Sequence, residues 1–161
     1  MGDYNVLPLY SEILPRLFLG GTENFDVVQE TKRERVASIT KESFDTVITA
    51  YAFANPVSWG VKEIRTTFYD GDMSDIDFDD IHQAADIAYS DWVHGARVLV
   101  RCQAGLNRSA LCAVLLLRKH GYSSAEAIAL LREKRSSWVL CNSDFEDYLL
   151  RLDAAEETSV A

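Results

Sequence analysis

The fold turns on Val98–Leu117, "VLVRCQAGLNRSALCAVLLL". An apolar run of strand type stops at Cys102, crosses a short polar loop, and restarts behind Arg108 and Ser109 as an apolar helix. "ARVLVRC" is too uniformly apolar, its arginines aside, for a half-exposed strand and fits the centre of a sheet covered on both faces. From Ala110 to Leu117 the helix is apolar on nearly every side, which predicts the most buried helix of the domain, ended by Gly121. Between strand and helix lie Gln103, Ala104, Gly105, Leu106 and Asn107. Such a loop can curl until its successive N–H groups point into one cavity, a nest that complements the non-bridging oxygens of a phosphate. Gly105 suits the tightest bend. Arg108, entering the first turn, adds a two-pronged grip that a lysine does not reproduce. Helix dipole, amides and guanidinium all favour a thiolate over a thiol on the floor of the nest, at Cys102. The loop therefore reads as one that binds a phosphoryl group and attacks it.

Outward from this stretch the chain alternates strands and helices. "SEILPRLFLGG" gives two short apolar segments around Pro15 and then a glycine pair, a small hairpin opening the domain. "FDTVITAY", rich in β-branched and aromatic residues, reads as an inner strand; after an Asn55-Pro56 turn comes a second, "VKEIRTTF", and then an acidic loop, "YDGDMSDIDFDD". Ile81, Ala84, Ala85, Ala88 and Trp92 recur at helical spacing, so a helix is expected from about Phe78 to Val93. Ser123 with Glu126, and Ser143 with Glu146, stand in capping-box relation and predict two more helices, with the tail fraying from Ala154. Between Asn24 and Ser43 the periodicity weakens: Phe25, Val28, Val36 and Ile39 suggest a charged helix whose Glu30–Arg35 stretch is a solvated face. The alternation gives an α/β fold, a three-layer sandwich with a central, mostly parallel mixed sheet of about five strands and helices on both faces.

A chain of 161 residues with 48% apolar content can bury a core as one domain, taken as 1–161. Its net charge of −9 leaves no basic excess to neutralise phosphates, which argues against binding to nucleic acid or an anionic membrane. Cys102, Cys112 and Cys141 are odd in number and lack CxxC spacing, so neither a disulfide framework nor a metal site is indicated. The N-terminus lacks the pattern of a signal peptide and the longest apolar stretch is too short to cross a bilayer. A soluble, cytoplasmic monomer is expected.

"VLVRCQAGLNRSA" resembles the Cys-x5-Arg-Ser signature of the cysteine-dependent protein tyrosine phosphatase superfamily, and its surroundings are similar to the compact dual-specificity branch. "ILPRLFLGG" resembles that branch's opening hairpin, "YDGDMSDI" its acid loop, and "RSSWVLCNSDFEDYLLRL" its closing segment. The resemblance implies a protein tyrosine phosphatase-like fold and a two-step reaction through a cysteinyl-phosphate, without metal or other cofactor, on a phosphorylated protein or peptide. It makes Cys102 the nucleophile, Arg108 the oxyanion clamp and Ser109 the hydroxyl that eases the sulfur's departure. The leaving group needs a proton from a carboxylic acid that afterwards activates water. Asp70, 32 residues before Cys102, fits that role, with Asp72 the alternative. One departure concerns the residue before the cysteine, usually a loop-bracing His and here Arg101, a second cation that would support a thiolate but cannot accept a hydrogen bond. Another is Asn107, where Ser or Gly is common; Asn142 matches an Asn of the closing segment that packs near the loop.

Two rivals stand beside a protein phosphatase. Relatives acting on polyanions such as phosphoinositides or RNA 5′-triphosphates tend to carry Lys or Arg inside the loop, whereas "QAGLN" is neutral. A non-catalytic phosphopeptide-binding module would need the acid or the loop geometry to have failed. Cys112 and Cys141 read as buried small hydrophobes, Cys141 also as a partner for a disulfide with Cys102 on oxidation. His82, His94 and His120 carry no signal, and Trp138 is the tryptophan expected at the pocket mouth. No stretch supplies a long recognition loop, so a shallow pocket is expected.

Overall fold

A computed structural model describes residues 7–23 and 39–159. The opening hairpin pairs β1 (Tyr10–Leu14) with β2 (Leu17–Gly20) in antiparallel fashion, turning over Pro15 and Arg16. The inner strands are β3 (Thr46–Thr49) and β5 (Val98–Arg101), and β4 (Lys62–Arg65) forms an edge. Sheet order is β1-β2-β5-β3-β4, with every pairing after the hairpin parallel. The expected mixed, mostly parallel five-stranded sheet is thus present, with β5 at its centre and buried at every position.

Parallel register fixes where chemistry can happen. Gly20, Arg101, Thr49 and Arg65 lie side by side, so β2, β5, β3 and β4 end together and the loop after β5 opens at their carboxyl edge. Strand alternation sorts the side chains. Val98, Val100 and Cys102 join the main core with Leu17, Leu19 and Ile48; Leu99 and Val47 join a smaller cluster with Ile39 and Phe44 on the opposite face. Phe44 there meets the rings of Tyr10 and Phe18 edge-on, each at 5.3 Å.

Four helices follow: α1 (Phe78–Val93), α2 (Arg108–Lys119), α3 (Ser124–Lys134) and α4 (Ser143–Ser159). Their buried apolar residues all enter the main core, so the described residues supply one of the two expected helical layers. The charged helix expected from Asn24 to Ser43 lies outside the described residues up to 38, and 41–43 form a turn. α2 is buried continuously from Ser109 to Leu117, as its all-apolar sequence requires. Ser123 and Glu126 close a reciprocal capping box on α3. The second box does not form. Asn142 caps α4 instead, its Oδ1 accepting the N–H groups of Asp144 and Phe145, while Glu146 turns to Arg132 at 2.6 Å. An asparagine one residue earlier reaches the first free amides better than Ser143, which already lies within the helix. α4 runs on to Ser159, past Ala154, with Asp153 and Glu156 gripping Arg118 of α2.

Candidate active site

The loop from Cys102 to Asn107 connects the end of β5 to the first turn of α2. Cys102 is 2% exposed, and two groups converge on its sulfur: the Gly105 N–H donates to Sγ at 3.3 Å, and Ser109 Oγ lies 3.1 Å away. An amide that donates to the sulfur, with a hydroxyl within hydrogen-bond reach, can stabilise negative charge that develops there. Gly105 has φ +71°, and a Cβ there would come within 2.6 Å of the Gly20 carbonyl oxygen, so both curvature and room exclude a side chain. The glycine pair ending the hairpin lies against the loop: Cys102 N–H donates to Gly20 O at 3.2 Å and Thr22 N–H to Gln103 O at 2.9 Å.

Arg108 opens α2 with its guanidinium carbon 5.1 Å from the Tyr51 ring centroid. Among the described residues its Nε is buried without a hydrogen-bond partner and its Nη2 makes only a 3.5 Å contact with Gln103 Oε1. The guanidinium is thus held in place by a ring face while its donors stay unspent.

Asp70 is tied to the loop by two asparagines. Asn107 Nδ2 donates to Oδ2 at 3.1 Å and Asn142 Nδ2 to Oδ1 at 2.8 Å, and Asn142 also holds Gly71 O at 2.9 Å. Asn107 is the N-cap of α2 by position but makes no side-chain cap, because its Oδ1 accepts the Asn142 N–H at 2.9 Å. Asp72 takes a different course: its carboxylate accepts the amide and hydroxyl of Ser74, which hold it below the usual carboxylate range. Of the two expected acids, geometry brings Asp70 to the loop and leaves Asp72 in its own turn.

Arg101 does not support the thiol. Alternation along β5 directs it away from α2, where it is 1% exposed and donates to Thr49 Oγ1 at 3.0 Å, Asn55 O at 2.7 Å and Glu63 Oε2 at 3.2 Å. The bracing comes from Arg135, which opens the closing segment "RSSWVLCNSDFEDYLLRL" without any role of its own in the sequence reading and stands at the C-cap of α3. Its Nε donates to Gly105 O at 2.8 Å and its Nη2 to Ala104 O at 3.0 Å, while Nη1 reaches Pro8 O and Ser11 Oγ. Drawing two successive carbonyls outward leaves the neighbouring N–H groups facing the cradle. Burial pulls the Arg135 guanidinium below its ordinary value, with the Cys102 sulfur opposing. A basic residue ending a helix ordinarily complements the dipole, so nothing in the sequence distinguished this one.

Burial pushes the Cys112 thiol up to about 12, consistent with a small core hydrophobe. Cys141 is exposed rather than buried, with Asn107 Nδ2 3.4 Å from its sulfur. Trp138 is largely exposed in the segment whose Leu140 N–H donates to Leu106 O at 2.8 Å. Among the described residues no group of three His, Cys, Asp or Glu side chains is arranged to hold a metal ion, and no helix is long and apolar enough to cross a membrane.

The family described as dual specificity phosphatase, catalytic domain, matches residues 29–154. The candidate tyrosine phosphatase 123R of Invertebrate iridescent virus 6 is 29% identical over 94 residues, 58% of this chain and 64% of that relative, so the chain spans less than two thirds of the relative's length. The crystal structure of human DUSP28 superposes with a TM-score of 0.74 at 21% identity, covering 94% of this chain and 97% of that one. Human tyrosine phosphatase-like serine/threonine/tyrosine-interacting protein gives a TM-score of 0.69 at 19% identity, covering 91% and 97%.

Proposed function

The chain belongs to the dual specificity phosphatase catalytic-domain family, and from that premise we propose that it hydrolyses phosphotyrosine, and phosphoserine or phosphothreonine, in proteins or peptides through a cysteinyl-phosphate. The observation that carries this reading is the convergence of the Gly105 amide and the Ser109 hydroxyl on the buried Cys102 sulfur, beside an Arg108 guanidinium with donors to spare.

In the first step Cys102 Sγ attacks phosphorus and the ester P–O bond breaks. Loop amides and Arg108 hold the non-bridging oxygens, whose charge builds in the transition state. Asp70, positioned by Asn107 and Asn142, delivers its proton to the leaving oxygen. In the second step the Asp70 carboxylate takes a proton from water, the water oxygen attacks phosphorus, and the S–P bond breaks with the pair returning to sulfur. Ser109 Oγ, 3.1 Å from that sulfur, lowers the cost of its departure as an anion.

The domain works without metal or cofactor, as a cytoplasmic monomer that binds neither nucleic acid nor membrane. Polyanionic phosphates rank lower because residues 103–107 carry no cation. The test is turnover of a small aryl phosphate by the wild type, Cys102→Ser and Asp70→Ala. Wild-type turnover abolished in Cys102→Ser supports the reading. Phosphopeptide binding without any wild-type turnover would instead identify a binding module.

A further inference from the structure

Beside the cradle, the side chains of Tyr51, Phe53, Phe68, Tyr69, Asp75 and Arg108 line a slot of about 260 Å³. We infer that this slot is a subsite for a lysine or arginine side chain flanking the phosphorylated residue of a substrate peptide. The inference rests on the phosphatase reading of the cradle and adds a substrate class to it.

Continuity with the cradle is the first support. Arg108 serves both, since its guanidinium lies over the Tyr51 ring and forms part of the slot wall. A peptide whose phosphate occupies the cradle therefore carries its neighbouring side chain across the slot. The aromatic walls are the second support. Phe53 is 61% exposed and Tyr69 71% exposed, so each shows a ring to solvent that the core does not use. Phe53 is set edge-on against Tyr51 at 5.7 Å, and the Tyr69 ring rests on Gly71, where a Cβ would come within 2.5 Å of it.

Charge decides among possible occupants. The Tyr69 N–H donates to Asp75 Oδ2 at 3.2 Å and fixes that carboxylate beside the rings; among the described residues no lysine or arginine is paired with it. Once a phosphate dianion has taken Arg108, the Asp75 carboxylate is the charge left facing the slot. An apolar side chain would cover that carboxylate with no compensation, and an acidic one would be repelled. A lysine or arginine satisfies every wall: its aliphatic stem lies along Phe53 and Tyr69, and its cation meets the ring faces and Asp75. The −9 net charge of the chain acts in the same direction.

The experiment compares phosphotyrosine peptides identical except for Arg, Leu or Glu beside the phosphorylated residue. The Arg peptide is expected to exceed the Leu peptide in kcat/KM by roughly tenfold, and the Glu peptide to be slowest. In Asp75→Asn the Arg-to-Leu ratio falls toward one, and in Asp75→Arg the Glu peptide overtakes the Arg peptide. A ratio within one variant cancels any general loss of folded enzyme, and a reversed order is not something a merely structural role of Asp75 produces. A wild-type ratio near one, a faster Leu peptide, or a ratio unchanged in Asp75→Asn overturns the subsite. If the wild type turns over no phosphate ester, the same peptides are titrated onto Cys102→Ser. The same order in affinity then keeps the subsite while the phosphatase reading falls, and equal affinities overturn the subsite.

Discussion

Two buried guanidiniums flank the loop, and they are partnered in opposite ways. Arg101, on the β3–β4 side, meets the Glu63 carboxylate and shares it with Thr49, whose hydroxyl donates to Glu63 Oε2 at 2.7 Å. Arg135, on the β1–α3 side, finds only neutral acceptors among the described residues: three carbonyls and the Ser11 hydroxyl. Glu63 also takes Arg65 Nε at 3.0 Å, so Arg101 belongs to a shared ion-pair group at the sheet edge and, turned away from α2 by strand alternation, does little for the cradle. An uncompensated guanidinium keeps its field, and two of its bonds run to the loop that holds Cys102. Burial of an arginine therefore does not indicate its use; the charge of its acceptors does.

The largest effect should come from breaking the compensated side. Arg101→Met removes the buried one of the two arginines on Glu63, leaving that half-buried carboxylate to Arg65 and Thr49, and is expected to cost about 3 kcal/mol of stability, read from denaturant midpoints. Adding Glu63→Leu should recover most of that loss. If the single variant were as stable as the wild type, the ion pair would not be the device described.

Arg135→Met should preserve more of the fold and damage the chemistry. Releasing the Ala104 and Gly105 carbonyls disorders the inward-facing amides, with a loss of about 10²-fold in kcat/KM and weaker inhibition by vanadate. Arg135→Lys restores charge without the fork and should fall between. Equal kinetics in the two variants would mean that charge geometry at this position is immaterial.

The acid loop gives the next contrast. Asp70→Ala is expected to lower turnover by about 10²-fold for substrates with poor leaving groups, whereas Asp72→Ala should leave it within a factor of about two. Asn142→Ala should combine loss of the α4 cap, about 1 kcal/mol, with a lower kcat at nearly constant KM, because it frees Asp70. A large effect at Asp72 would reverse the assignment.

The smallest effect belongs to a third arginine, Arg97, whose partner Asp45 is partly exposed. The Arg97 guanidinium and amide hold the Asp45 carboxyl down from 3.8 to about 2. A depressed carboxyl contributes stability that is full above its unfolded value and lost as pH falls through its folded one. Asp45→Asn should therefore flatten the stability profile between about pH 4 and pH 2, with a loss at neutral pH under about 1 kcal/mol. A slope in that window identical to the wild type would remove Asp45 as its source.

Much of the fold was legible because it follows from short-range pattern. The strand-loop-helix transition at Cys102, the Phe78–Val93 helix and the Ser123 capping box all depend on residues within a few positions of one another. The Ser143 box failed locally, because Asn142 one residue earlier takes the cap; what no short-range pattern showed is that the same side chain also holds Asp70, 72 residues away in sequence. Asn107 was likewise diverted from its helix end to bind Asp70 and Asn142.

The sequence by itself picked out the central strand and the cysteine and arginine proposed as nucleophile and clamp, because a cysteine, five neutral residues and an arginine between an apolar strand and an apolar helix leave few other arrangements. Only the tertiary structure decided which aspartate reaches the loop, that Arg101 faces away from it, and that Arg135 braces it. Those choices depend on strand alternation and on contacts spanning many residues, such as the 30 from Gly105 to Arg135, and no local pattern encodes a partner that arrives through folding.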